Sequence, residues 1–200
     1  MQSVYKKAYV SYAIAFVMIF MFLLETFSGG SEDLETAIRF GAMAVPLVLE
    51  KQEYYRLFTS MFLHFGPEHL SANLISVLAV GPYIEKIFGR ISYLLIFVLS
   101  GIGGNLLSMV SQLIRWHFPV STGASGAAFG LFGAILLLSL LPRFRPLFPL
   151  KNVVVGIALN LGIGLFETGI DAAAHLGGLI CGFLTAAVIL VIRRAAAGAR

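Results

Sequence analysis

Residues 121–133 read "STGASGAAFGLFG". Glycine recurs at 123, 126, 130 and 133, and one serine, Ser125, stands among the small residues. Two readings compete. The stretch is either the packing face of a membrane helix, with serine as one more small residue, or the seat of a nucleophile. The choice depends on what else the chain brings to the same membrane depth.

The surrounding composition is that of a membrane protein. Of 200 residues, 58% are hydrophobic and 12% charged, against about a quarter charged in soluble domains. Mean hydropathy is +0.91. Six apolar stretches can be marked, at about 8–27, 69–88, 91–113, 125–141, 152–166 and 172–192. Runs near 20 residues match the hydrocarbon core, and the fifth is short for a span. The length predicts one all-α, six-helix membrane domain over 1–200 with no appended soluble domain. The first stretch is longer than a signal-peptide core and "ETFSGG" offers no small-residue cleavage site, so it reads as a retained helix. Cys181 is the single cysteine, which excludes an internal disulfide and reads as a small packing residue. A formal charge of +4 is too modest to suggest nucleic-acid binding.

Charge distribution sets an expected orientation. With the N-terminus inside, Lys6, Lys7, Lys86, Arg90, Arg143, Arg145, Lys151, Arg193, Arg194 and Arg200 fall on the inner side. Only Arg39, Lys51, Arg56 and Arg115 fall outside. The positive-inside rule then places both termini in the cytoplasm. Residues 28–68 become a long outer loop whose "EYYRLFTSMFLHFG" is rich in Tyr and Phe. Aromatic residues favour the interface, so this loop is expected to lie in or dip into the outer leaflet.

Few polar residues remain to be explained. Ser125 begins the fourth stretch and His175 lies a few residues into the sixth, both entered from outside. Gly126, Gly130 and Gly133 line one face of the fourth. Ala174, Gly178 and Gly182 recur every fourth residue in the sixth. Small residues at that spacing let helix backbones approach, and His175 projects beside this face. In the second stretch, His69 and Asn73 are four apart and share a face. Asn supplies an amide donor of the kind an acyl-transfer oxyanion requires. Ser125 follows a Gly-containing turn at a helix start, where backbone N–H groups are free. Each residue alone has a bland reading as packing, interhelical glue or interfacial contact. Together they supply nucleophile, base and oxyanion donors at one depth. The α/β-hydrolase elbow is excluded, because Ala127 stands where its second glycine would be and no strand precedes.

On these motifs the chain resembles the rhomboid family of intramembrane serine proteases. "GASGAAFGLFG" looks like the family's GxSG motif, "HFGPEHLSANL" its H-x-x-x-N element and "IDAAAHLGGLICG" its A-H-x-x-G helix. The resemblance implies Ser125 as nucleophile and His175 as general base. It implies an oxyanion hole from His69, Asn73 and the Ser125 N–H, with Phe129 stacked on the histidine. Gly126, Gly130, Gly178 and Gly182 become helix-packing positions. Tyr55-Arg56 stands where the family usually has Trp-Arg as an anchor of the first loop. The implied reaction cuts transmembrane substrates near their outer end; no cofactor or metal is expected, and the short loops with no transit peptide point to a bacterial plasma membrane. A non-proteolytic relative that escorts membrane clients is the alternative, which the presence of both Ser125 and His175 argues against. A transporter would want mid-membrane carboxylates or inverted repeats, and a metal site from His64, His69 and His175 has no clear further ligand.

Overall fold

The computed structural model describes the backbone of residues 2–166 and 170–198, with side chains for 4–162 and 170–198. Among the described residues the regular structure is helical, apart from one antiparallel bridge between Met43 and Ser121. The helices are α1 (Gln2–Tyr5), α2 (Tyr9–Phe27), α3 (Leu34–Phe40), α4 (Val45–Glu50), α5 (Arg56–Thr59), α6 (Gly66–Phe88), α7 (Arg90–Arg115), α8 (Ser125–Leu140), α9 (Leu150–Phe166) and α10 (Ala172–Gly198). Helices α2, α7 and α10 are long and apolar enough to cross a membrane. Helix α6 has 23 residues but carries more polar ones.

The apolar stretches of the sequence correspond to these long helices, with shifted ends. Helix α6 starts at Gly66 rather than near residue 69, with Pro67 in its first turn, a position that uses proline's fixed φ and missing donor without loss. Helix α10 continues through Arg193 and Arg194 to Gly198, because an Ala-rich segment sustains a helix after the apolar run has ended. The 28–68 segment folds into three short helices and a 3-10 turn at Ser60–Phe62.

Helix α8 is the centre of the bundle. It is apolar all round and most of its residues are buried, as expected of a helix enclosed by others. Its neighbours α7 and α10 meet it at glycines as well as through side chains. A Cβ built on Gly178 would lie 1.9 Å from the Gly126 carbonyl oxygen, and one on Gly182 would lie 2.1 Å from that of Gly130. Gly104 of α7 brings its backbone against Ala174 and Gly126 at once. Only hydrogen fits at these contacts, so the glycines let the backbones approach closely.

Buried polar ties fix the remaining pieces. The Glu85 carboxylate of α6, 4% exposed, accepts from Val10 N at 3.0 Å, Ser11 N at 2.9 Å and Ser11 Oγ at 2.9 Å. It thereby satisfies donors in the first turn of α2 that have no partner within the helix. At the same end, Arg193 of α10 donates to the Phe88 carbonyl and, at 2.9 Å, to Ser92 Oγ. In the first loop Asp33 caps α3 by accepting from Thr36 N at 2.7 Å. That hydrogen bond holds its carboxyl below the usual range.

Candidate active site

Ser125 is the first residue of α8. No side chain caps that end, and Ala124 is its N-cap, so the first N–H groups point out of the helix without an intrahelical acceptor. Gly123, two residues earlier, has φ +115°, a conformation open to glycine without steric penalty. Its N–H donates to the Ser60 carbonyl at 2.9 Å, which ties the approach to Ser125 onto the first loop.

His175 reaches the same region from α10. It is buried, and its ring stacks on Phe129 of α8 with centroids 4.1 Å apart and planes 15° from parallel. Phe129 is one helical turn after Ser125. The contact between Gly178 and Gly126 lies three residues after His175 on α10 and one after Ser125 on α8. A close backbone contact between α8 and α10 therefore sits beside both residues.

Helix α6 closes a third side. A Cβ on Gly123 would lie 2.6 Å from His69 Nε2 and 3.6 Å from Asn73 Nδ2, so both side chains face the segment that leads into Ser125. Asn73 is buried and donates one amide hydrogen to the His69 carbonyl at 2.9 Å; the amide has a second. Ser125, His175, Phe129, His69, Asn73, Gly126 and Gly178 are thus gathered at one end of the bundle. Gly130 and Gly182 continue the same contact one turn deeper.

Tyr55 and Arg56 lie apart from this cluster and behave differently from each other. Arg56 is buried, pairs with Glu53 and donates to the carbonyls of Ile38 at 2.8 Å and Ala42 at 3.0 Å. One guanidinium thus joins three turns of the first loop. Tyr55 is exposed, with the Arg56 guanidinium 5.4 Å from its ring centroid.

Three features go beyond the sequence reading, which weighed His64 only as a metal ligand. His64 is fully buried, edge-on to His69 with centroids 5.2 Å apart, and its backbone N–H donates to Glu25 at 3.3 Å. Burial, and then the neighbouring His69, pushes its imidazole down to about 3, so it is neutral near pH 7. Asn105 of α7 donates to Ser60 Oγ at 2.9 Å and the Leu57 carbonyl at 2.8 Å, holding the first loop to the bundle. Asp171, just before α10, bonds to Ser108, Ser121 and Ala174 N. An aspartate immediately before an Ala-rich run is an N-cap signature; its longer-range partners leave no local pattern.

The fold and this cluster define an integral membrane protein of helical type, with a serine at the start of its most enclosed helix and a stacked histidine beside it. The chain belongs to the rhomboid family: residues 51–192 match the family model of the rhomboid domain. It is 37% identical over 97% of its length to "Rhomboid protease GluP" of Bacillus subtilis. It is 39% identical over 78% to "RHOMBOID-like protein 1" of Arabidopsis thaliana, and 35% identical over 66% to "Putative rhomboid protease YdcA" of Bacillus subtilis. The matched regions are 37%, 40% and 65% of those proteins, so the chain spans less than two thirds of each.

Proposed function

We propose that this protein is an intramembrane serine endopeptidase with a Ser125–His175 dyad, cutting transmembrane substrates near the outer face of a bacterial plasma membrane. The six long helices are its spans and both termini are cytoplasmic. The observation that carries the reading is the stacking of His175 on Phe129 beside the Gly126–Gly178 contact. It gives a histidine one orientation at the contact between its own helix and the helix that Ser125 begins. The family membership and the names of the two Bacillus relatives support the same activity.

Helix length supports the depth. The 16 residues of α8 span about 24 Å at ~1.5 Å per residue, short of a hydrocarbon core of ~30 Å. With its C-terminal end near the inner interface, Ser125 lies several ångströms below the outer one. The 119–124 segment must then descend into the membrane, and its bonds to Met43 and Ser60 satisfy backbone groups that lipid could not.

The chemistry runs in two halves. Ser125 Oγ attacks the substrate carbonyl carbon while the His175 imidazole takes its proton. The oxyanion is stabilised by the Ser125 N–H, the Asn73 amide and His69. The C–N bond breaks, the amine departs with the proton from His175, and an acyl-enzyme remains. Water then attacks the ester, with His175 taking its proton and returning it to Ser125 Oγ. Phe129 fixes the ring plane, so no carboxylate has to bond the imidazole directly.

The test is cleavage, in liposomes, of a transmembrane substrate with a Gly-containing outer juxtamembrane segment. The wild type should cut it, and Ser125→Ala and His175→Ala should not. Equal cleavage by all three would refute the dyad. Binding of the substrate without cleavage by any of them would favour the escort reading.

A further inference from the structure

Asp171 joins three parts of the site. Its Oδ1 accepts from Ala174 N at 2.9 Å and its carbonyl from His175 N at 3.1 Å, so it caps the first turn of α10, whose fourth residue is His175. Its Oδ2 accepts from Ser108 Oγ of α7 and, at 3.3 Å, from Ser121 Oγ. Gln112 of α7 closes the network, donating to Ser108 Oγ at 3.2 Å and Ser121 Oγ at 3.4 Å. Ser121 lies four residues before Ser125 and exchanges two backbone bonds with Met43, at 3.0 and 2.9 Å.

The geometry points to Asp171 as a positioning residue for the proposed reaction: it locks the helix start that carries His175 to the segment that delivers Ser125, and it places a negative charge one helical turn before the imidazole. This rests on the Ser125–His175 reading. Hydrogen bonds to an ionised carboxylate are about twice as strong as neutral ones, and Ser108 and Gln112 are buried, which shields them from competing water. The charge favours the imidazolium that forms as Ser125 gives up its proton. Of the elements packed on His175, α6 contributes the titratable His69. Helix α8 carries no ionisable side chain; α7 offers the neutral Ser108 and Gln112 here, and its Arg115 lines a cavity with Ala173 and Leu176, the residues of α10 that flank Ala174 and His175.

Asp171→Asn separates this role from folding. The amide oxygen can still accept from Ala174 N, and the two hydroxyls can turn to accept from its NH2, while the charge is lost. In a liposome cleavage assay, Asp171→Asn should lower kcat about 10-fold at unchanged KM. Because the imidazolium is no longer favoured, the imidazole loses its proton at lower pH, so the acidic limb of kcat/KM should move down by about half a unit or more. Asp171→Glu, which restores the charge, should return the limb toward its wild-type position. The Ser108→Ala/Ser121→Ala double variant keeps the charge and should lower kcat with the limb in place. An acidic limb that stays or moves up in Asp171→Asn overturns the proposal, whatever the loss of kcat, and leaves the residue a helix cap. Cleavage retained by Ser125→Ala would refute the dyad itself and this proposal with it. A dead Ser125→Ala beside an unmoved Asp171→Asn limb refutes this proposal alone.

Discussion

Gly178→Ala tests whether the glycine contact between α8 and α10 places the two reacting residues. The new Cβ would meet the Gly126 carbonyl oxygen at 1.9 Å and its carbonyl carbon at 2.7 Å. Ordinary contact begins near 3.4 Å, so the helices would have to part by about 1.5 Å there. Neither atom belongs to a flexible side chain, and no rotamer change relieves the clash. Overpacking of this kind destabilises by about 1–3 kcal/mol or more. The displacement falls three residues from His175 and one from Ser125, and a misplacement of ~1 Å at reacting groups costs about 10²-fold in rate. Gly156→Ala in α9 is the control, since a Cβ there meets nothing within 4 Å. Unfolding midpoints in detergent and cleavage rates in liposomes should both fall for Gly178→Ala and hold for Gly156→Ala. A Gly178→Ala protein with wild-type midpoint and rate, or two variants equally impaired, would refute the reasoning.

Other substitutions probe separate parts of the account. Asn73→Ala removes an amide facing the Ser125 approach but only one intrahelical bond; kcat should fall about 10²–10³-fold with the unfolding midpoint nearly kept, and an unchanged kcat would remove Asn73 from the oxyanion hole. Gly123→Ala combines φ +115° with a Cβ 2.6 Å from His69 Nε2, so cleavage should drop more than with Gly156→Ala under the same assay. Glu85→Ala strips Ser11 Oγ and the Val10 and Ser11 N–H groups of their acceptor and should destabilise by about 3 kcal/mol or more. Glu85→Gln, which keeps one acceptor oxygen, should lie between it and the wild type by thermal unfolding.

The sequence was most readable where physics is local. Hydropathy located the long helices because lipid demands runs of apolar residues. It misjudged the end of α10 because helix propensity, not hydropathy, governs Arg193–Gly198. The small-residue spacings at 126, 130, 178 and 182 were legible because a four-residue repeat has one geometric meaning on a helix. Residues 28–68 were harder: short helices held by Arg56 and Asn105 depend on bonds to carbonyls far along the chain, and no periodicity records them. Tyr55 and Arg56 were read as a pair, yet one is buried in three turns of loop and the other is exposed, a difference set by tertiary packing alone. The Asp171 network was hidden for the same reason. Ser108 and Ser121 lie 63 and 50 residues from the carboxylate they share.

The central claim is that Ser125 is a nucleophile activated by His175. The most direct measurement is labelling of the folded protein in liposomes with a fluorophosphonate, followed by peptide mapping of the adduct. The account predicts a single adduct on Ser125, lost in a His175→Ala protein that retains its wild-type unfolding midpoint. An adduct on another residue, or substrate cleavage that persists while Ser125 stays unlabelled, would contradict it.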